Sequence, residues 1–349
     1  MEGFPLVVTS GSPHEIGEQH GGQVREHVRA SLDRFCPRAE RTRERRLFAA
    51  QIEERMTAQL PEALEEMRGI ADGSGLPYED ILLLNFSVEL WGEALFGSSG
   101  RCSLIGVAGE NPLLAKTIDM SLGDDRYVIC QRVHPKSGHS FLHVTYAGTI
   151  WTDGGVNDAG LAQTNSTLQS NSCDRSGLPI FIVARNLLQY CQNVAEAIEM
   201  VGKCRAINQG SNILLGDANS NLVVVEKSIS QGLRSWERKP HCDGQIGDVI
   251  FATNHSLTPE MEGYLSGSET FLSNSRERLA NLKRKVREMA RTVEGVMALY
   301  RDHSLPGAIC QHGEASLHTT GAFIIVPKQR RIWIARGYPC ASEYSLLAL

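Results

Sequence analysis

From His14 to about residue 95, apolar residues recur at helical spacing, as in Val24-Arg-Glu-His-Val-Arg-Ala-Ser-Leu32 and Met56-Thr-Ala-Gln-Leu-Pro-Glu-Ala-Leu-Glu-Glu-Met67. That period predicts a helical N-terminal segment. Within it, Arg41-Thr-Arg-Glu-Arg-Arg46 reads as a solvated helix face. The texture changes sharply at Gly97-Ser-Ser-Gly-Arg101, from helical spacing before it to strand-forming residues after it. Strands are predicted at 102–107, 113–119, 127–134, 140–146, 160–165, 212–216, 221–226, 249–253, 322–326 and 331–335. Two helical stretches interrupt them, Pro179 to Gly202 and Glu269 to about Arg301. In the second, Leu279, Leu282, Val286, Met289 and Val293 form one stripe, so Arg276, Arg278, Lys283, Arg284, Lys285 and Arg287 should mostly face water. Strand-rich blocks with helices between and outside them predict stacked sheets covered by helices.

The first strand pair holds candidate chemistry. Cys102-Ser-Leu-Ile-Gly-Val107 runs into the turn residues Ala108-Gly-Glu-Asn-Pro112, and Leu113-Leu-Ala-Lys-Thr-Ile-Asp119 returns, which reads as a β-hairpin. A turn centred between Glu110 and Asn111 pairs positions that sum to 221. It sets Cys102 opposite Asp119 with both side chains on one face. A thiol and a carboxylate would then be neighbours.

Composition narrows the function classes. The chain has 349 residues, 42% hydrophobic and 21% charged, with a net charge of -5; it offers no global field for nucleic acid. No run of 18 apolar residues and no basic N-terminal region is visible, so neither a membrane span nor a secretion signal is expected. Nine cysteines without a CxxC pair fit a reducing cytoplasm. Eleven histidines without HExxH, and cysteines without ribbon spacing, predict no metal. No phosphate-binding loop follows a strand, so no nucleotide cofactor is expected, and Gly-x-Ser-x-Gly is absent.

Four polar segments remain at strand ends or turns: Cys102, Asp119, Gly155-Val-Asn157-Asp-Ala-Gly-Leu161 and Ala252-Thr-Asn254-His255. A thiol attacks a carbonyl well only as thiolate, so it needs a base and donors aimed at the oxyanion. A cysteine at a new N-terminus carries its own base, an α-amine with a pKa of about 7.7 to 8.0. Asn254 and Asn157 could supply neutral amide donors, and Asp119 could orient the amine or thiol.

These residues, in this order, resemble the autoproteolytic acyltransferase and amidohydrolase family of the acyl-CoA:isopenicillin N acyltransferase type. That family lies within the N-terminal nucleophile hydrolases and is akin to choloylglycine hydrolase. Further landmarks are Glu15-Ile-Gly-Glu-Gln-His-Gly21, Glu65-Glu-Met-Arg-Gly-Ile-Ala71, Leu84-Asn85, Ser275-Arg276 and Gly337-Tyr-Pro339. The resemblance implies an α+β fold, a four-layer α-β-β-α sandwich with a helical N-terminal segment, made as one precursor. Self-cleavage between Arg101 and Cys102 would leave residues 1–101 as a small chain and 102–349 as a catalytic chain, the two staying associated as one structural domain. By resemblance, Cys102 is the nucleophile, Asn254 contributes the oxyanion hole, Asp119 orients the nucleophile and Asn157 lies at the rim of the site. The substrate implied is a small acylated amine or acyl-CoA of secondary metabolism or catabolism, with no cofactor, nucleic acid or membrane involved.

Two departures bear on these expectations. Glycine often precedes the nucleophile in the family, where Arg101 stands here. An Ile-Cys-Arg-His pattern, whose arginine can pair a substrate carboxylate, reads Ile309-Cys310-Gln311-His312. Gln311 therefore predicts contact with an uncharged or differently placed substrate group. Two other readings stay open: an uncleaved cysteine hydrolase with His255 or His312 as base, and a catalytically silent binding member of the family.

Overall fold

The computed structural model describes residues 3–91, 101–168, 176–207, 210–228, 232–237, 244–258, 261, 267–313 and 317–349. The small-residue run at 97–100 lies outside them.

The N-terminal segment is helical, as its spacing predicts, after a first strand β1 (Leu6–Gly11). Helices α1 (Pro13–Gln23), α2 (Arg25–Phe35), α3 (Arg43–Gln59), α4 (Pro61–Ser74), α5 (Tyr78–Asn85) and α6 (Ser87–Trp91) follow. Ser12 caps α1 in a reciprocal capping box with Glu15. Two of the landmark segments acquire a packing reason. A Cβ on Gly17 would stand 1.9 Å from the Glu66 carbonyl oxygen, and one on Gly69 would stand 2.0 Å from that of His14. Helices α1 and α4 therefore touch backbone to backbone, an approach only glycine permits. Gly69→Ala should force them apart and destabilise the fold by about 2 kcal/mol or more, read as a lowered urea midpoint. The basic run at 41–46 is less solvated than its spacing suggests: Arg41 and Arg46 both ion-pair with Asp80, a carboxylate only 11% exposed.

The remaining strands are β2 (Leu104–Val107), β3 (Leu113–Met120), β4 (Val128–Pro135), β5 (Phe141–Tyr146), β6 (Gly154–Asn157), β7 (Leu161–Leu168), β8 (Gly210–Asp217), β9 (Leu222–Ser228), β10 (Gly232–Glu237), β11 (Gln245–Ile246), β12 (Val249–Ala252), β13 (His318–Val326), β14 (Arg331–Arg336) and β15 (Ser345–Ala348). Among the described residues they form two sheets, ordered β1-β4-β5-β6-β7-β8-β9-β10 and β11-β12-β2-β3-β13-β14-β15. The sheets face each other through β2, β3 and β12 against β7, β8 and β9. Helices α7 (Ile180–Tyr190) and α8 (Val194–Lys203) cover the first sheet, and α9 (Glu269–Lys285) and α10 (Val293–Tyr300) cover the second. This is the four-layer α-β-β-α arrangement of an α+β fold. No described helix is long and apolar enough to cross a membrane.

Buried on both faces, the central strands read as near-continuous apolar runs. Leu104, Leu114 and Phe323 join the core between the sheets, while Ile105, Ala115 and Ile324 join the core under α9 and α10. Strand β6 escaped the sequence pattern because it begins Gly-Gly. A Cβ on Gly154 would meet the Phe323 ring of the facing sheet at 2.7 Å. The long helix expected to reach residue 301 is two, with α9 ending at Lys285 and α10 starting after the Thr292 cap.

The hairpin register departs from the expectation by one residue. Paired positions on β2 and β3 sum to 220: Leu104 faces Lys116, Val107 faces Leu113, and the bridge continues through Arg101 and Asp119. The turn is drawn off centre because the Ala108 N–H donates to the Asp248 carbonyl and the Gly109 N–H to Ser220 Oγ. A slip of one residue sends side chains to opposite faces. The Cys102 side chain shares the inter-sheet face with Leu104, Lys116 and Ile118, and the Asp119 side chain points to the helix layer with Ser103 and Thr117.

Candidate active site

Cys102 lies just before β2, 8% exposed, in the lining of a small cavity. Val88, Ile118, Met120, Trp151 and Phe181 supply apolar walls. Lys116, from the centre of β3, faces the thiol and pairs with Asp153 at 2.6 Å, both groups largely buried. The Tyr146 hydroxyl donates to the other Asp153 oxygen at 3.0 Å. Burial pushes the Cys102 thiol up to about 12, while the Lys116 ammonium pulls it back toward ionisation. Burial lowers the lysine's own pKa, but Asp153 and the thiol outweigh it and leave the pKa raised, so the ammonium is retained.

Across the strand, Asp119 is buried and accepts hydrogen bonds from Thr319 Oγ1 at 2.7 Å, Gln311 Nε2 at 2.7 Å and Thr117 Oγ1 at 3.4 Å. Burial raises its pKa, opposed by the Arg278 charge and these donors. Arg278, from α9, is fully buried rather than facing water. It donates to the Cys102 carbonyl, to Ser103 Oγ at 3.0 Å, to Asn254 Oδ1 at 2.8 Å and to Asn274 Oδ1 at 3.0 Å. The face of α9 that meets the sheet thus carries the polar Ser275 and Arg278 between Phe271 and Leu282, all at helical period.

The peptide group between Arg101 and Cys102 is held at both ends. The Arg101 carbonyl oxygen accepts from the Asp119 N–H at 3.0 Å, and the Cys102 N–H donates to Asn254 Oδ1 at 2.9 Å. Asn254 therefore presents its oxygen, not its NH₂, to the Cys102 backbone; its Nδ2 donates to the Thr167 carbonyl at 3.1 Å. The Arg101 guanidinium is buried above the Phe271 ring, at 5.3 Å, with Nε and Nη1 lacking hydrogen-bond partners among the described residues. Burial and the neighbouring Arg278 depress its pKa to about 10.

Cys102, Asp119, Asn254 and Gln311 are thus brought together, on two faces of one strand pair. Gln311 does not line the cavity; it bridges Asn274 Nδ2 and Asp119. Asn157 stands apart. Its Nδ2 donates to the Leu188 and Cys191 carbonyls and its Oδ1 accepts from the Leu161 N–H, a closed set that ties β6 to the end of α7. His255 is buried against Ser275 Oγ at 2.8 Å, and His312 is exposed beside Cys340; neither lines the cavity. Sequence reasoning missed Lys116, Asp153 and Arg278. The signal for Lys116 was a lone cation inside Leu113–Met120, a strand buried throughout.

Burial lowers the pKa of His20 and of His255 to about 4 each. An unfolded histidine titrates near 6.5. Folded values below the unfolded one mean that the unfolded chain binds more protons between the two. This stability is complete above about pH 6.5 and is lost as pH falls toward 4. The urea midpoint should fall across that window, and less steeply in His20→Asn.

The chain is similar to several known proteins. It is 21% identical over 310 residues to an uncharacterized protein of Archaeoglobus fulgidus, covering 75% of this chain and 51% of that one. It is 28% identical over 154 residues to protein dcd1A of Dictyostelium discoideum, covering 39% and 33%. The chain thus spans about a third to a half of the length of these curated relatives. Among solved structures, an N-acylethanolamine-hydrolyzing acid amidase ortholog of Caenorhabditis elegans superposes with a TM-score of 0.48 at 12% identity, over 65% of this chain and 93% of that one. Penicillin V acylase from Agrobacterium tumefaciens gives 0.45 at 15%, over 67% and 82%. The model of one family matches residues 107–340, starting just after Cys102 and taking in Lys116, Asp119, Asp153, Asn254, Arg278 and Gln311. With about two thirds of its length matched, the chain belongs to the acyl-coenzyme A:6-aminopenicillanic acid acyl-transferase family.

Proposed function

We propose that this chain is a self-cleaving cysteine acyltransferase or amidohydrolase that forms an acyl-enzyme on Cys102. The observation that carries the reading is the Arg101–Cys102 peptide, whose carbonyl oxygen and nitrogen are both fixed by hydrogen bonds while the adjoining thiol faces Lys116 in a cavity. In the first step the thiol sulfur bonds to the Arg101 carbonyl carbon. The Asp119 N–H stabilises the oxyanion, the C–N bond breaks, and the thiol proton ends on the Cys102 nitrogen. Water then hydrolyses the thioester, leaving an Arg101 carboxylate and a free thiol beside a free amine. Burying the Arg101 guanidinium next to Arg278, with two nitrogens that find no partner among the described residues, destabilises the uncut state. Release on cleavage offsets the absence of a glycine before the nucleophile.

In the mature enzyme the α-amine is the base, Lys116 favours the thiolate, and Asn254 Oδ1 anchors the amine. The acyl group of a small amide or acyl-thioester passes to Cys102 and then to water or an amine. The apolar walls suit an acyl chain, with Trp151 and Phe181 opposite the nucleophile's strand. The two cleaved segments stay together because β1 pairs in parallel with β4 and because Arg185 ion-pairs with Glu66 in the core. A reducing cytoplasm would keep the thiol active.

Intact mass of the purified protein, before and after incubation with a panel of acyl-CoAs and N-acyl amines, tests this reading. Two fragments, the larger gaining an acyl mass, are expected. A chain that stays whole and gains no mass would instead identify a silent binding member.

A further inference from the structure

Away from the cavity, the loop after α10 and the turn after β14 bring together side chains that ligate metals. Ligand atoms of His303, His312 and Cys340 all lie within 4.8 Å of one another. Cys340 Sγ is 3.2 Å from His312 Nε2, and Cys310 Sγ is 3.4 Å from the same nitrogen, which adds a second thiol to the cluster. Around a tetrahedral zinc ion, with bonds of about 2.0–2.1 Å to nitrogen and 2.3 Å to sulfur, neighbouring nitrogen and sulfur ligands stand about 3.5 Å apart. The two thiol separations from His312 are close to those of such a shell, while His303 stands within 4.8 Å of His312 and Cys340 and would draw in on binding.

The surroundings orient the rings as they do at metal centres. His303 Nδ1 hydrogen-bonds to the Arg301 carbonyl at 3.1 Å, which selects the tautomer with a lone pair on Nε2. The His312 ring stacks on Tyr338 at 4.1 Å and 5°, and the Tyr338 hydroxyl meets His318 Nδ1 at 2.5 Å. Two thiols and two imidazoles select a borderline-soft ion such as zinc over magnesium or calcium.

We propose that His303, Cys310, His312 and Cys340 form a structural site for a zinc-class divalent cation. None of the four lines the Cys102 cavity, and four protein ligands close a tetrahedral shell, leaving no position for substrate. The ion would clamp the 302–313 loop to the 337–340 turn. Gln311 stands between two of the ligands and reaches Asp119 at 2.7 Å, so the clamp also positions the donor to that carboxylate. Local ligand spacing could not reveal this site, because its residues come from two segments separated by β13 and β14.

Cobalt titration of the reduced, chelator-treated full chain tests the site. About one ion per chain should bind, with a thiolate-to-cobalt charge-transfer band and the intense visible bands of a tetrahedral ion, both lost on adding zinc. Cys340→Ser should remove part of the charge-transfer band. His303→Ala, which changes an exposed side chain, should weaken binding at least about tenfold. Absence of the charge-transfer band, or an unchanged band and affinity in Cys340→Ser, overturns the proposal. So does a non-reduced chain lighter by two hydrogens, with Cys310 and Cys340 linked, that takes up no cobalt after reduction.

Discussion

Replacing Cys102 by alanine should leave a single chain of 38.4 kDa with no turnover, where the parent chain should give fragments of about 11 and about 27 kDa. The fragment masses follow from dividing the chain in proportion to residues 1–101 and 102–349. Under the proposed mechanism the change should remove both reactions together, because the same sulfur would attack the Arg101 carbonyl first and the substrate carbonyl afterwards. The expected fall in kcat/KM is on the order of 10⁴-fold or more. The fold should survive: Cys102 is one small side chain at a cavity, and the change deletes only its sulfur. Cleavage that persists in Cys102→Ala would move the nucleophile elsewhere, and turnover that persists would separate activity from this cavity. Denaturing mass spectrometry and a steady-state assay on the same sample read both outcomes.

Lys116→Met should produce the second largest effect, on rate and stability together. Its ammonium acts more strongly on the thiol than the Arg278 charge does, and it pairs with Asp153 at 2.6 Å in a buried setting. Removing it leaves the carboxylate uncompensated, which destabilises by about 3–5 kcal/mol. Lys116→Met combined with Asp153→Asn removes both charges and should recover much of that stability without recovering activity. Lys116 pulls the thiol pKa down, so the pH profile of Cys102 alkylation should move to higher pH in both variants. A merely structural lysine would lower the melting temperature and leave that profile in place. An alkylation profile that does not move would therefore reject the electrostatic role.

The elements of the catalytic region were legible because its strands are short, apolar and separated by turn residues. The ten predicted segments overlie β2, β3, β4, β5, β7, β8, β9, β12, β13 and β14. The hairpin register was not legible, for a reason visible in the same strands. Both faces of β2 and β3 are buried, so no polar alternation says which side a residue takes, and Ile105 is as apolar as Leu104. What fixed the register was the turn, where the Ala108 and Gly109 N–H groups are drawn to Asp248 and Ser220, far away in the chain. Arg278 was misread for a similar reason. An apolar stripe through Leu279 and Leu282 leaves Ser275 and Arg278 on its flank, and only the position of Cys102 beneath α9 turns that flank inward.

By itself the sequence determined the helical N-terminal segment, the strand-rich region after it and the stacking of sheets under helices, while the α+β class and the landmarks around Cys102, Asp119 and Asn254 came with the family resemblance. The former follow from local periodicity, which acts over a few residues. Tertiary structure alone decided that Cys102 looks at Lys116 while Asp119 looks at Gln311, Thr319 and Arg278, and that Asn254 offers an oxygen rather than a donor. It also turned Asn157 into a tie between β6 and α7 and gathered His303, Cys310, His312 and Cys340 into one place. Each of those outcomes depends on strand register or on contacts between segments far apart in the chain. Such contacts are selected by the packing of whole layers, which no local pattern encodes.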